Sequence, residues 1–114
     1  SVRLLGLDAP ESCQPHGREA RAALASRVLR LSVRVEGGQR DVYDRLLARL
    51  VLADEADVGA WLVEEGHAWS WRQRNDPGPY AAQEARARAR GRGLWALPSP
   101  LEPREFRREH GPCR

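Results

Sequence analysis

The sequence predicts an α+β fold, and three features of its 114 residues carry that expectation. Leu31, Val33 and Val35 alternate with Ser32, Arg34 and Glu36, the period of two that a half-buried strand imposes. Ala20, Ala23, Leu24 and Val28, and later Val58, Trp61 and Leu62, recur at the spacing of one helix face. Groups of Gly, Pro, Asp and Asn separate these segments, and the order that results is strand, helix, two strands, helix, helix, without an internal repeat. A chain of this length buries one modest core and not two.

In chain order, Val2 to Leu7 is an apolar run broken by Gly6 and stopped by Asp8-Ala9-Pro10-Glu11, which predicts a strand running into a tight turn. A helix follows from Gly17 to Leu29. The strand that begins at Leu31 is expected to close at Gly37-Gly38, with a partner over about Leu46 to Leu52. Asp57 offers its carboxylate to the free N–H groups of a helix running through Glu65, and Gly66 supplies a left-handed stop. His67 to Trp71 is short and extended, and Asn75 to Pro79 is an exposed loop. An arginine-rich helix then starts at Pro79 or Tyr80, reaches about Arg90 and ends at Gly91 and Gly93, after which Leu94 and Trp95 fold back onto the core. The domain is expected over residues 1–97, with a polar C-terminal tail over 98–114 in which Phe106 is the residue able to clip to the domain.

Nineteen basic residues, all arginine, stand against sixteen acids, a net charge of +3. Residues 72–114 hold ten arginines and five acids, whereas residues 1–71 hold nine and eleven, so the basic half is the one suited to a polyanion. No stretch approaches the roughly 18 apolar residues of a membrane span, and the first residues lack the layout of a signal peptide, so no membrane partner is expected. Cys13 and Cys113 are far apart and neither sits in a Cys-x-x-Cys spacing, which excludes a metal cluster held on sulfur. Spacing alone leaves two readings open. Two unrelated thiols fit a cytoplasmic address; one disulfide implies a secreted or periplasmic protein, and closing a loop of about 100 residues would stabilise it by roughly 4 to 5 kcal/mol in the chain-entropy model.

The chemistry concentrates near the start. Asp8 and Glu11 flank Pro10 on a turn at the end of a strand, and two carboxylates held that rigidly beside backbone carbonyls suit a hard cation such as Ca²⁺ or Mg²⁺. Arg3 lies five residues before Asp8, and Asp41-x-Tyr43-x-Arg45 forms a second cluster. Brought together, these residues offer carboxylates for a metal and a water and two guanidinium forks for a phosphate. Trp61 and Trp95 read as core. Trp69 and Trp71 alternate, so one of them can face a groove. His16, His67 and His110 read as surface or loop residues, and Arg86, Arg88, Arg90 and Arg92 as a solvated helix face.

Four motifs stand in order over roughly residues 2–96: Arg3-Leu4-Leu5-Gly6-Leu7-Asp8-Ala9-Pro10-Glu11; Asp41-Val42-Tyr43-Asp44-Arg45; Asp57-Val58-Gly59 with Leu62 to Ala68; and Tyr80 to Glu84 followed by Arg92-Gly93-Leu94-Trp95. In this combination the chain resembles the staphylococcal nuclease (thermonuclease) family. The resemblance implies a five-stranded OB-type β-barrel with three helices and an open groove suited to single-stranded nucleic acid. It implies a Ca²⁺-dependent endonuclease, a phosphodiesterase that hydrolyses DNA and RNA to 5′-hydroxyl and 3′-phosphate products and works as a monomer. Residue by residue, it implies Glu11 as general base, Arg3 and Arg45 as the cations on the scissile phosphate, Asp8 and the Ala9 carbonyl as Ca²⁺ ligands, and Tyr43 as a hydrogen-bond donor to the terminal phosphate. Trp71 is the candidate for stacking on a base.

The sequence departs from the family pattern in two further places. Members carry an Asp-Gly-Asp-type strand pair ahead of the first motif, and here Ser1 already stands inside the third strand, so the expectation is a barrel lacking two strands and one metal ligand, as in a piece of a longer product. Asp44 stands where Gly is usual, either weakening the grip of Arg45 on phosphate or pairing with a neighbouring arginine. The rival expectation is a non-catalytic nucleic-acid-binding OB module that keeps the arginines without the metal.

Overall fold

A computed structural model describes residues 2–41, 44, 46–72, 74–111 and 113. The apolar run at the start of the chain forms two short strands, β1 (Val2–Leu4) and β2 (Leu7–Asp8), separated by a turn at Leu5-Gly6 in which Gly6 has φ +82°. The turn sends them to different sheets. β1 lies parallel to β4 (Leu46–Leu52) with Arg3 opposite Leu47, and β2 lies antiparallel to β5 (Trp69–Ser70) with Asp8 opposite Trp69. The larger sheet is completed by β3 (Val33–Arg40), antiparallel to β4, in the order β1-β4-β3.

The fold is α+β, but among the described residues neither sheet closes on itself. The α+β class holds, and the absence of closure agrees with the expectation of an OB-type barrel lacking strands: β1 and β3 are the two edges of a three-stranded sheet, and closure needs pairing that continues around a ring. Where three helices were expected, the described residues form four: α1 (Gly17–Val28), α2 (Val58–Glu64), α3 (Ala81–Arg90) and α4 (Pro103–His110), with a 3₁₀ turn at Gly93–Ala96.

Gly37-Gly38 does not end β3. The strand runs through both glycines to Arg40, with a shift of register between Glu36 and Gln39. At Gly37 a Cβ would stand 2.2 Å from the Leu47 carbonyl oxygen, so glycine is what lets the bulged backbone press against β4. Nor is β3 half-buried: it is an edge strand, Val35 is 48% exposed, and the strand begins at Val33, leaving Leu31 outside it and half exposed.

Leu7, Leu52, Val58, Leu62, Val63, Ala68 and Tyr80 form the core, with Leu4, Leu24 and Val28 packed on its rim. It lies between the inner face of β4, α2 and the β2–β5 pair. α2 starts where the sequence predicts, because the Asp57 carboxylate accepts from the N–H groups of Gly59 and Ala60 at 2.8 and 3.2 Å. The Tyr80 hydroxyl donates to the other oxygen of Asp57 at 2.8 Å, tying the start of α3 to the start of α2. Burial and the Asp57 carboxylate both push the Tyr80 hydroxyl pKa well up, so it remains a donor into the alkaline range.

The described residues after 97 include a further helix. α4 opens with Pro103 at a first-turn position, where a missing N–H costs nothing, and it buries Pro103 and Phe106. A disulfide joins Cys113 to Cys13, with the two Cα atoms 5.7 Å apart.

Candidate active site

Asp8 sits at the end of β2, and pairing with β5 buries it to 7% exposure. Burial raises its carboxyl pKa, the nearby Glu11 adds to the rise, and Arg107, Arg3 and Arg104 oppose it. The chain then turns through Ala9 and Pro10. At Glu11 the N–H donates to the Gln14 Oε1 at 3.0 Å and the carbonyl accepts the Gln14 N–H at 2.9 Å. The start of α1 packs directly on this carbonyl: a Cβ on Gly17 would lie 1.8 Å from it. Gln14 and Gly17 thus fix the backbone that carries Glu11.

Arg3, Asp8, Ala9 and Glu11 line one cavity of about 270 Å³. Three of the charged groups marked in the sequence therefore share a pocket. The fourth, Arg45, lies outside the described residues, as does Tyr43. Their neighbour Asp44 has φ +60° and its carboxylate is 3.7 Å from Arg40, whose guanidinium also donates to the Asp44 carbonyl at 2.9 Å. Asp44 thus pairs with a neighbouring arginine, one of the two readings open for it; its bearing on Arg45 lies outside the described residues.

Sequence reasoning missed Arg107. Its Nη1 donates to Glu11 Oε1 at 2.5 Å and its Nη2 is 3.9 Å from Asp8 Oδ2, so α4 delivers a guanidinium between the two acids. The available signal was Phe106, an apolar anchor in a polar stretch, which fixes the phase of the arginines on either side of it.

Trp69 is buried and meets Trp95 edge to face at 4.5 Å, while Trp71 is 38% exposed, so the alternation expected of this segment holds. The Arg3 and Arg104 guanidiniums stand 5.4 and 5.2 Å from the Trp71 ring centre. Trp71 also lines, with Arg3, Leu5 and Leu47, a second cavity of about 210 Å³. A flat apolar face beside cations is the arrangement on which a nucleobase can stack.

The solvated face expected of α3 is observed, since Arg86, Arg88 and Arg90 are exposed, yet two of them are also paired: Arg86 with Glu64 of α2 at 2.5 Å and Arg88 with Glu84 of α3 itself at 3.0 Å. Arg92, just past α3, meets Glu65 at 2.5 Å. Arg86 and Arg92 thus tie this part of the chain to the end of α2, a match that local reading cannot see. One other expectation changes. His16 and His67 are not independent surface residues; their rings stack and His16 Nε2 lies 2.9 Å from His67 Nδ1. Burial and then the adjacent His16 push the His67 pKa down, with Glu65 opposing.

Among the described residues no group of three or more His, Cys, Asp and Glu side chains is disposed to hold a metal ion. The cavity is lined by Ala9, Arg3 and Arg107 as well as by two carboxylates, those of Asp8 and Glu11, and a carboxylate buried at an energetic cost is one that gains from a nearby cation; carboxylate oxygens are the donors at hand. In kind they fit a hard divalent ion. No helix among the described residues is long and apolar enough to cross a membrane.

Comparison with known proteins bears on this geometry. A family model described as staphylococcal nuclease homologue matches residues 1–97. An uncharacterized endonuclease of Haemophilus influenzae is 34% identical over 108 residues, covering 95% of this chain and 60% of that protein. A probable staphylococcal-like nuclease of Oryza sativa subsp. japonica is 34% identical over 108 residues, covering 95% of this chain and 32% of that protein. A micrococcal nuclease of Shigella flexneri is 34% identical over 117 residues, covering 94% of this chain and 67% of that protein. The chain thus spans between about a third and two thirds of these relatives. With the family match running over the whole stretch that carries Arg3, Asp8 and Glu11, the chain belongs to the family of staphylococcal nuclease homologues.

Proposed function

We propose that this chain is a Ca²⁺-dependent phosphodiesterase acting on DNA and RNA, single-stranded for preference, as a monomer. The observation that carries the reading is the meeting of Arg3, Asp8 and Glu11 at one cavity. Glu11 accepts a proton from the attacking water as the water oxygen bonds to phosphorus in line with the departing 5′ oxygen; the P–O5′ bond breaks and the departing oxygen takes a proton from solvent water, leaving a 3′-phosphate and a 5′-hydroxyl. Arg3 holds the phosphoryl oxygens as charge builds on them, and Arg45 and Tyr43 are proposed to join it. A Ca²⁺ ion held by Asp8 and the Ala9 carbonyl would supply further stabilisation of that charge. Trp71 stacks on a base. The Cys13–Cys113 disulfide supports an oxidising address, secreted or periplasmic.

The test is cleavage of single-stranded DNA and RNA oligonucleotides with calcium chloride or with a calcium chelator. Chelator-sensitive cleavage is expected, with new ends that accept a phosphate at the 5′ position directly. Absence of such cleavage overturns the enzyme reading, and salt-dependent binding without cleavage identifies a non-catalytic binding module in its place.

A further inference from the structure

The turn that carries Glu11 is held from outside by the end of the chain, and it is held at three places. The buried Gln14 side chain, whose oxygen accepts the Glu11 N–H, donates through Nε2 to the Leu101 carbonyl at 2.5 Å. Cys13 is bonded covalently to Cys113. Arg107 donates to the Glu11 carboxylate itself. A fourth tie fixes the helix between these points, because Arg104 Nη2 donates to the Arg72 carbonyl at 2.7 Å just after β5. Arg104 and Arg107 lie three positions apart, hence on one face of α4, while Phe106 buries the helix against the domain.

We propose that residues 101–111, with Cys113, form a brace for the general-base turn, in which Arg107 is a positioning residue for the Glu11 carboxylate and the disulfide is the clamp that keeps α4 in place. Both terminal nitrogens of Arg107 are turned to acids, one to Glu11 and one towards Asp8. Its charge therefore offsets the repulsion between two neighbouring carboxylates and fixes where Glu11 points. A base displaced by a single ångström loses much of its effect on the reaction, and removal of an orienting partner typically costs 10- to 100-fold. The clamp makes the brace sensitive to reduction of the disulfide.

The proposal rests on Glu11 acting as the base, and its test has two readouts so that the two ideas fail separately. With single-stranded DNA and calcium chloride, Arg107→Met is expected to lower kcat by about 10- to 100-fold with KM moving less than about threefold, and Arg107→Lys to recover part of the loss. The salt slope of DNA binding is expected to stay as in the wild type. Cys13→Ser with Cys113→Ser is expected to lower kcat by a smaller factor in the same direction, as is reduction of the wild-type protein. Independently of activity, amide hydrogen exchange over residues 9–16 is expected to quicken in Arg107→Met and in the reduced protein. An unchanged kcat, a loss confined to KM with a shallower salt slope, or unchanged exchange over residues 9–16 overturns the brace; a shallower slope would mark Arg107 as a phosphate contact. A wild-type protein without cleavage overturns the nuclease reading alone, and the exchange comparison then decides the brace.

Discussion

Two arginine–glutamate clusters are built from the same groups and put to different ends. Glu84 on α3 is 4% exposed, and both its oxygens are used inside the fold: one accepts the Ser70 N–H at 2.9 Å and the other accepts Arg72 and Arg88. Those two arginines lie over aromatic faces, Arg72 5.3 Å from the Trp69 ring centre and Arg88 4.0 Å from that of Trp95. Glu11 instead has a side chain that is 26% exposed, lines a cavity and meets one arginine from the far end of the chain. A carboxylate whose capacity is filled by neighbours within the core fastens elements together. One left at a cavity wall retains reach for a water, and that difference separates a structural charge from a chemical one.

The strongest way to break the comparison is Glu11→Gln. The amide keeps the shape and hydrogen-bonding reach of the side chain and removes its basicity. On single-stranded DNA with calcium, kcat is expected to fall by at least about 100-fold, while the urea midpoint shifts little. A loss below about tenfold would show that Glu11 is not the base.

Glu84→Gln is expected to do the reverse. It leaves Arg72 and Arg88 without their shared anion in a buried setting, and hydrogen bonds to charged groups of this kind contribute about 1.5 to 3 kcal/mol each to stability. Both arginines are partly exposed and recover some solvation, so a loss of about 2 to 3 kcal/mol in urea unfolding is expected, with kcat per folded molecule unchanged. A variant of normal stability and lowered kcat would make Glu84 part of the site.

How much of this was legible follows from the reach of each feature. Arg3, Asp8 and Glu11 fall within nine consecutive residues, over β1, β2 and the turn that follows, so spacing alone keeps them near one another. The capping of α2 by Asp57 is equally local. Arg107 reaches Glu11 across 96 positions, and only the packing of Phe106 and the Cys113 link, both tertiary, decide that it arrives there. Gly37-Gly38 was misread for a related cause. A glycine pair between alternating residues signals a hairpin turn by local rules, whereas here the pressure of the Leu47 carbonyl makes it a bulge within a longer strand. The pairing of His16 with His67, and of Arg86 and Arg92 with Glu64 and Glu65, likewise depends on where helices dock and not on either segment alone.

Asp8→Asn is the variant whose expected change in stability has the opposite sign. Burial holds the Asp8 carboxyl above the ordinary value of 3.8, so the folded chain binds that proton more tightly than the unfolded chain does. Between the two values the folded state carries more protons, and stability attributable to this group falls as pH rises through that window. At neutral pH, above the window, the ionised carboxylate is a burden on the fold that Arg107, Arg3 and Arg104 only partly offset. Asparagine lifts the burden. The urea midpoint of Asp8→Asn at neutral pH is expected to equal or exceed that of the wild type, with the gap closing as pH is lowered towards 3.8, where the native residue also becomes neutral. Calcium-dependent cleavage is expected to fall in the same variant. Retained cleavage with a lowered midpoint would place Asp8 with Glu84 among the charges that hold the fold, because a group kept ionised against its own desolvation is expected at a site that uses the charge.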